Sequence, residues 1–184
     1  MKRILLISDS HGEQARVRRI RRMHASMDVC IHLGDIGFDP KRLRGFYIVQ
    51  GNHDPASYGL VQQQILELEG CRILLLHGHQ LEMEAAAAMQ GRADEEDTYA
   101  AFLRQIEIAG ARRARACGCQ ALFHGHTHMR LDQEVEGVRI LNPGSLFFNR
   151  EEALASYACV DLDNGQIRCQ FHMLPRSEER RVGK

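Results

Sequence analysis

Short apolar runs recur along the chain, and each is shorter than an ordinary helix. Four of them, 2–8, 29–32, 46–49 and 72–77, lie in the first half of the chain, and 121–124 follows later. Apolar runs of four to eight residues bounded by turn residues are typical of buried β-strands. The pattern therefore predicts five buried strands separated by other elements.

Helical patterns fill two of the intervals between these strands. Residues 13–27 carry apolar side chains at steps of three or four, which places them on one face of a helix. Residues 83–116 are rich in Ala, Glu, Gln and Arg, and they predict two helices with a break near Gly91. Because helices alternate with strands, we expect an α/β protein with crossover helices.

The last third of the chain changes from this alternation to β-hairpins. Residues 133–141 and 157–171 each contain two strand-like segments around a short turn. The second turn is Asn164-Gly165, a strong signal for a two-residue hairpin turn. Taken with the earlier elements, the hairpins predict a single domain over residues 1–174, an ordinary length for one hydrophobic core.

Composition restricts the class of protein. Hydrophobic residues make up 44% of the 184 positions, no apolar run is long enough to span a bilayer, and no signal peptide precedes the first strand. The six cysteines are scattered without a CxxC pair, which favours reduced thiols over disulfides or a zinc knuckle. We therefore expect a cytoplasmic protein with no membrane partner.

The final nine residues, RSEERRVGK, follow a segment that already completes the last predicted strand. They match the in-frame translation of a common DNA-sequencing adapter, so we expect 175–184 to be a non-native tail, with a natural basic tail as the alternative. Removing the nine residues leaves 20 basic and 22 acidic residues. At the resulting net charge of −2, nothing global favours a nucleic-acid partner.

Polar residues that can bind a metal follow each of the five predicted strands. In chain order they are Asp9 and His11; Asp35; Asn52, His53 and Asp54; His77 and His79; and His124, His126 and His128. Seven of the ten histidines of the chain are among them. Because binding and catalytic groups in α/β sheets gather at the carboxyl ends of the strands, we expect these side chains to meet at one edge.

The residue types at this edge indicate a metal site. Carboxylate, amide oxygen and imidazole together suit Mn²⁺, Fe or Zn²⁺ better than a thiolate site would. A catalytic zinc ion needs only three protein ligands, so this larger set would serve two ions that share a carboxylate. For the FHGHTH stretch alone, a His-rich polar loop is an equal alternative. Glycines that permit sharp turns or close backbone approach flank the motifs, at Gly12, Gly34, Gly51, Gly78 and Gly125.

Five motifs in a fixed order carry a resemblance to a known family. They are Asp9-x-His11, Gly34-Asp35, Gly51-Asn52-His53-Asp54, His77-Gly-His79 and Gly125-His126-Thr-His128. This set resembles the full signature of the calcineurin-like metallophosphoesterases. The short chain, the LNPGS segment at 141–145 and the terminal hairpins resemble the small single-domain phosphodiesterase branch of bacteria and archaea. The resemblance covers about 1–82 and 120–174.

The resemblance implies a fold and a metal centre. The fold would be a four-layer α/β/β/α sandwich of two facing mixed sheets, with the metals at one edge. The centre would hold two divalent transition-metal ions, with Mn²⁺ favoured and Ni²⁺, Fe or Zn²⁺ as alternatives. By position, the first ion would be held by Asp9, His11, Asp35 and His128, and the second by Asp35, Asn52, His77 and His126. Asp35 would bridge the two ions.

The resemblance also implies an activity, hydrolysis of a small phosphate ester, with diesters favoured. A metal-bridging hydroxide would attack phosphorus in line with the leaving group. His53 matches the catalytic histidine of the family and would protonate the leaving oxygen or stabilise the transition state, while Asp54 would orient His53. His124 matches no ligand position. We therefore expect it to lie outside the set of ligands.

Other functions remain as alternatives. Phosphomonoesterase activity, including activity on phosphoproteins, comes first, and a non-catalytic metal-binding scaffold comes next. A nuclease would need DNA-binding parts for which the chain has little length. The basic segment 16–22 has no interleaved aromatic residues on which bases could stack, so a solvated helix face is favoured over a nucleic-acid patch.

The main departure from the family lies between His77 and His126, which are 49 residues apart. This gap is shorter in small members of the branch, so we predict a helical insertion at about 83–116. The insertion would form a lid beside the site, a contact in a homo-oligomer, or a peripheral helical hairpin, and the sequence leaves these three open.

Overall fold

The computed structural model describes residues 1–90, 98–150 and 154–174. The strands are β1 (Lys2–Ile7), β2 (Val29–His32), β3 (Phe46–Ile48), β4 (Gln63–Leu68), β5 (Cys71–Leu76), β6 (Ala121–Phe123), β7 (Arg130–Val135), β8 (Val138–Pro143), β9 (Ala155–Asp163) and β10 (Gln166–Leu174). The helices are α1 (Gln14–Met23), α2 (His79–Met89) and α3 (Thr98–Ala116), with short 3₁₀ helices at Pro40–Arg42 and Ala56–Tyr58.

The strands form two five-stranded mixed sheets. One has the order β10-β9-β1-β2-β3 and the other the order β4-β5-β6-β8-β7. β1, β2 and β3 run parallel in the first sheet, and β5, β6 and β8 run parallel in the second. β9, β4 and β7 pair antiparallel with β1, β5 and β8, and β10 pairs antiparallel with β9. Each sheet therefore contains three parallel strands whose carboxyl ends point to one edge.

Alternate residues of the central strands build three separate cores. Ile4 and Leu6 of β1 pack between the two sheets with Ile73 and Leu75 of β5 and Phe123 of β6. The opposite face of the first sheet packs on α1, and the opposite face of the second sheet packs on α2 and α3. Because side chains alternate between the faces of a strand, a strand in such a sandwich must be apolar on both. The expected four-layer α/β/β/α sandwich is confirmed.

The apolar runs predict the buried strands to within one or two residues, but they do not predict β4. This strand is half exposed, and only Leu66 among its six residues is buried. It pairs with β5 across a turn at Glu69-Gly70, where both residues have positive φ. An edge strand with polar residues on its open face has no continuous apolar run, which explains why the pattern misses it.

The second helical region begins earlier than its composition suggests. α2 starts at His79, directly after β5, and it packs with α3 on the outer face of the second sheet. Residues 83–89 and 98–116 thus contribute to an outer layer of the sandwich, while the break near Gly91 lies outside the described residues. That this region is an insertion stays a prediction. None of the helices in the described ranges is long and apolar enough to cross a membrane.

Candidate metal centre

The loops after the parallel strands hold several polar residues in an unusual backbone conformation. Non-glycine residues rarely adopt positive φ, and where they do the strain often marks a functional position. Within the described chain, eight non-glycine residues have positive φ, and three of these lie in hairpin turns. The other five are all predicted ligands, namely Asp9, His11, Asp35, His126 and His128.

Two motif glycines lie where the backbone presses against the carboxylates of predicted ligands. A Cβ placed on Gly51 would overlap the carboxylate of Asp35. A Cβ placed on Gly125 would overlap Ser8 and the carboxylate of Asp9. Glycine at these two positions therefore lets loops from both sheets close around the carboxylates.

One group of donor atoms consists of Asp9, His11 and His128. Their ligand-type atoms all lie within 4.8 Å of one another. Asp9 Oδ1 is 3.2 Å from His128 Nε2, and the Nε2 atoms of His11 and His128 are 3.3 Å apart. These residues follow β1 and β6, so the group joins the two sheets.

A second group consists of Asp9, Asp35 and His77, again within 4.8 Å of one another. His77 Nε2 is 3.4 Å from Asp35 Oδ2 and 3.1 Å from the side-chain oxygen of Asn52. Asp35 Oδ2 also lies 3.8 Å from His11 Nε2. The two groups are adjacent because they share Asp9 and because Asp35 of the second group approaches His11 of the first.

The environment of His77 fits a cation. Its Nδ1–H donates to the carbonyl oxygen of Leu33 at 2.7 Å, which assigns the proton to Nδ1 in the neutral ring. The lone pair of Nε2 then faces oxygens of Asn52 and Asp35, which cannot donate a proton to it. Burial lowers the pKa of His77, but Asp9 and Asp35 outweigh it and raise the pKa to about 9. A metal ion could bind His77 Nε2 and the facing oxygens of Asn52 and Asp35 without a proton on Nε2.

Asp9 also fits a cation. It is fully buried, its Oδ2 accepts hydrogen bonds from the Ser8 hydroxyl and the His126 backbone N–H, and its Oδ1 accepts no well-aligned hydrogen bond. Burial opposes ionisation, yet His77 and His128 hold the pKa of Asp9 well below its usual range. An ionised buried oxygen without a donor, facing imidazole nitrogens, is the arrangement expected of a metal ligand.

His126 is held differently from the other six predicted ligands. Its Nε2 contacts the carboxylate of Glu82 on α2, and its ring centroid is 5.1 Å from that of His77. Because an ionised carboxylate only accepts hydrogen bonds, Nε2 carries the proton and Nδ1 keeps the lone pair. His126 could therefore ligate through Nδ1, with Glu82 fixing its ring. Sequence reasoning misses Glu82 because it begins the helix at 83 rather than at His79.

His53 lies at the open side of the centre. Its side chain is 68% exposed, its Nε2 is 3.9 Å from Asp35 Oδ2, and its ring contacts that of His11. The backbone N–H of His53 donates to Asp35 Oδ1 at 2.9 Å. The imidazole is thus available to a substrate while its backbone is tied to a predicted ligand.

Asp54 uses both of its carboxylate oxygens to bind backbone N–H groups. Its buried carboxylate accepts backbone hydrogen bonds from Asp35, Ile36 and Gly51 at 2.8–2.9 Å. These bonds hold the loop that carries Asp35, and the role of orienting His53 stays a prediction. The motif predicts that an acid is needed here, but only the loop geometry reveals which atoms it binds.

The remaining motif histidines lie outside both donor groups. His124 is buried, its Nδ1–H donates to the carbonyl oxygen of Gly125, and burial lowers its pKa to about 4. His79 begins α2 with its ring 5.7 Å from that of His77. Asn142 donates to Gly125 O and Thr127 Oγ1, so it supports the loop before His128.

Several solved structures share the fold of this chain. A conserved uncharacterized protein of Streptococcus pneumoniae, described as a predicted phosphoesterase, matches with a TM-score of 0.73 and 24% identity over 94% of this chain and 89% of that one. Vps29 of Chaetomium thermophilum matches with a TM-score of 0.72 and 18% identity, over 96% of this chain and 93% of that one. A novel archaeal phosphodiesterase matches with a TM-score of 0.61 and 17% identity, over 94% of this chain and 99% of that one. At these identities the likeness shows the fold.

Sequence comparison extends the likeness to the family. A "Probable metallophosphoesterase" of Mycoplasma pneumoniae is 30% identical over 179 residues, which span 96% of this chain and 99% of that protein. The sequence model described as the calcineurin-like phosphoesterase superfamily domain matches residues 1–165. The chain therefore belongs to the calcineurin-like phosphoesterase superfamily.

Proposed function

We propose that the protein is a phosphodiesterase that uses two divalent metal ions to hydrolyse a small phosphate ester. The observation that carries this proposal is the meeting of two donor groups at Asp9, one with His11 and His128 and one with Asp35 and His77. Membership of the superfamily supplies the reaction class, hydrolysis of a phosphoric ester.

The donor set supports divalent transition metals. Carboxylate, amide and imidazole donors suit Mn²⁺ first, and Ni²⁺, Fe or Zn²⁺ as alternatives. When bound, the ions would supply a nucleophile from water near neutral pH and positive charge against the phosphate oxygens. The chain would hold them with Asp9, His11, Asp35, Asn52, His77, His126 and His128. Asp35, which lies 3.4 Å from His77 of one group and 3.8 Å from His11 of the other, is proposed as the shared carboxylate.

His53 is the proposed acid. Its imidazole is exposed at the mouth of the centre, so it can bind an incoming ester and exchange protons with water. The hydrogen bond from its backbone to Asp35 keeps it next to the proposed ligands. We propose that Nε2–H donates to the oxygen of the leaving group as the bond from that oxygen to phosphorus breaks.

The surroundings favour a diester over a monoester. Phe147 contacts the ring of His11 and Phe148 contacts the ring of His128, so two apolar rings border the centre. A diester carries one charge and a second esterified group that can lie against this apolar surface. A monoester carries more charge near neutral pH and has no second group, so it would leave the surface unused.

A non-catalytic scaffold is the alternative that requires only metal binding at the site and no catalytic group. Buried ionised carboxylates and positive φ values cost stability, and bound ions offset that cost. A scaffold could retain the ions, but it would have no use for the exposed imidazole of His53 beside them. The complete donor set together with His53 therefore supports an enzyme.

We also propose a cytoplasmic setting. The six cysteines are all free thiols, as a reducing compartment favours. Neither a membrane nor nucleic acid is proposed as a partner, and a homo-oligomer through the 83–116 helices remains a prediction.

The proposal is tested by comparing a diester with a monoester. Metal-free protein reconstituted with Mn²⁺ should hydrolyse bis(p-nitrophenyl) phosphate faster than p-nitrophenyl phosphate, and a chelator should remove both activities. His11→Ala and His77→Ala should be inactive. His24→Ala is the control, because His24 contacts Tyr157 and belongs to neither donor group. A faster monoester rate would favour a phosphatase, and metal binding without either activity would favour a scaffold.

A further inference from the structure

We infer that Phe147 and Phe148 form an aromatic wall that selects phosphodiesters bearing a flat aromatic group over those bearing small alkyl groups. The inference rests on the proposed phosphodiesterase function and names a substrate class for the same site. The aromatic group could be a simple aryl ring or a nucleobase, since both present a flat π-surface for stacking.

The two rings are exposed at the metal centre. Phe147 is 47% exposed and Phe148 is 42% exposed, and their centroids are 5.7 Å apart. Phe147 meets the ring of His11 edge to face at 5.7 Å, and Phe148 meets the ring of His128 at 5.6 Å. In the part of the chain that the structure describes, the other exposed large apolar side chains are not adjacent in sequence. An exposed aromatic pair at a functional site indicates a surface for a ligand.

The aromatic wall is fixed to the loop that carries Asp9. Ser145 Oγ donates to the carbonyl oxygen of Asp9 at 3.0 Å and accepts from the backbone N–H groups of Phe147 and Phe148. The backbone of Leu146 donates to Ser8 O, and that of Phe147 donates to Asp9 O. Since these hydrogen bonds lead directly to a predicted ligand, the backbone that carries both rings holds a set position relative to the centre. Such preorganisation lowers the entropy that a bound ring must lose.

The wall also lies where an ester substituent would be. The ring of His11 is contacted by His53 at 5.6 Å and by Phe147 at 5.7 Å. If His53 donates to the leaving oxygen, the groups attached to phosphorus must pass within reach of Phe147. Stacking between a base and an aromatic side chain contributes about 1–3 kcal/mol, which corresponds to roughly 5- to 150-fold in affinity.

The test uses three diesters with the same leaving group, p-nitrophenol, and different retained groups: methyl, phenyl and thymidin-5′-yl. The wild-type enzyme should prefer the phenyl or the thymidinyl ester to the methyl ester. Faster hydrolysis of the phenyl ester would indicate a simple aryl ring as the recognised group, and faster hydrolysis of the thymidinyl ester a nucleobase. In Phe147→Ala and Phe148→Ala the preference over the methyl ester should fall by roughly 5- to 150-fold. Phe147→Leu, which keeps apolar bulk but removes the ring, should give an intermediate loss. Tyr47→Ala, also an exposed aromatic, is the control and should keep the wild-type preference.

A binding measurement separates recognition from turnover. Diphenylphosphinate and dimethylphosphinate carry the single charge of a diester but have no ester bond to break. By calorimetry on Mn²⁺-loaded protein, the diphenyl compound should bind more tightly, and Phe147→Ala should weaken only that compound. Circular dichroism checks that each variant is folded.

The possible failures are distinguishable. An enzyme active on all three diesters with the same preference in wild type and in both alanine variants overturns the wall and leaves the phosphodiesterase proposal intact. No activity on any diester overturns the proposed function itself. If the alanine variants change only the oligomeric state, measured by light scattering, the two rings form a contact between copies and the inference is wrong.

Discussion

Replacing Asp54 with Asn tests how the loop that carries Asp35 is held. The carboxylate accepts from Asp35 N and Gly51 N through Oδ2 and from Ile36 N through Oδ1. Asn has nearly the same shape, but it offers one acceptor oxygen and one NH₂ donor. At least one buried backbone N–H would then face a donor instead of an acceptor.

The magnitude follows from these contacts. An unsatisfied buried donor costs about 1–3 kcal/mol, and a hydrogen bond to a charged group contributes about 1.5–3 kcal/mol. One lost bond and two weakened bonds therefore lower the free energy of unfolding by roughly 2–4 kcal/mol. For a chain of this size each kcal/mol shifts Tm by about 2–4 °C, which gives a fall of roughly 4–16 °C.

The assay is thermal and urea unfolding of metal-free Asp54→Asn beside wild type. Asp39→Asn is the matched control, because Asp39 is exposed and accepts one backbone hydrogen bond, from Lys41. It should change the free energy of unfolding by about 1 kcal/mol or less. If Asp54→Asn unfolds like wild type while its diesterase rate falls sharply, Asp54 acts on His53 and the loop-holding role is refuted.

Three further substitutions separate the roles of residues at the centre. His53→Ala should lower turnover by about 10²–10⁴ while metal content, measured by elemental analysis, stays near wild type; loss of the ions would contradict its role as acid. Asp35→Asn should weaken both ions and lower the rate more than His128→Ala does, and the reverse order would argue against a bridging carboxylate. Glu82→Ala should weaken metal binding about 10- to 100-fold in a titration, whereas Glu84→Ala on the same helix should not; equal effects would remove Glu82 from the centre.

The sequence predicts most of the fold because the central strands are buried on both faces. β1, for example, packs Leu5 and Ile7 towards α1 and Ile4 and Leu6 towards the other sheet, so its whole length is apolar. The half-exposed edge strand β4 carries no such signal, and its pairing with β5 depends on a turn and on long-range contacts.

The candidate ligands are predictable because they follow strands that end at the same edge. Six of the seven predicted ligands have donor atoms in the two groups or in contact with them, and His126 lies beside His77. Their separate roles are not contained in the motif. The Asp54 carboxylate, for instance, faces backbone N–H groups, and that depends on how two loops cross.

Residues outside the motifs are harder to predict. Glu82 reaches His126 only because α2 begins at His79 and turns its first-turn acid towards the sheet edge. Phe147 and Phe148 are of a residue type that is usually buried in a core. Their exposure depends on the hydrogen bonds that hold their loop against Asp9. Such contacts join positions far apart in the chain, which periodicity does not encode.

The most direct test of the account is the number of metal ions per chain. Metal-free protein would be reconstituted with Mn²⁺, passed through gel filtration to remove loose ions, and analysed for metal and for protein concentration. Because two adjacent donor groups meet at Asp9, we predict two ions per chain, with fewer in Asp35→Asn. A wild-type protein that holds no ion with Mn²⁺, Ni²⁺, Fe²⁺ or Zn²⁺, or that saturates at one, would contradict the two-metal centre.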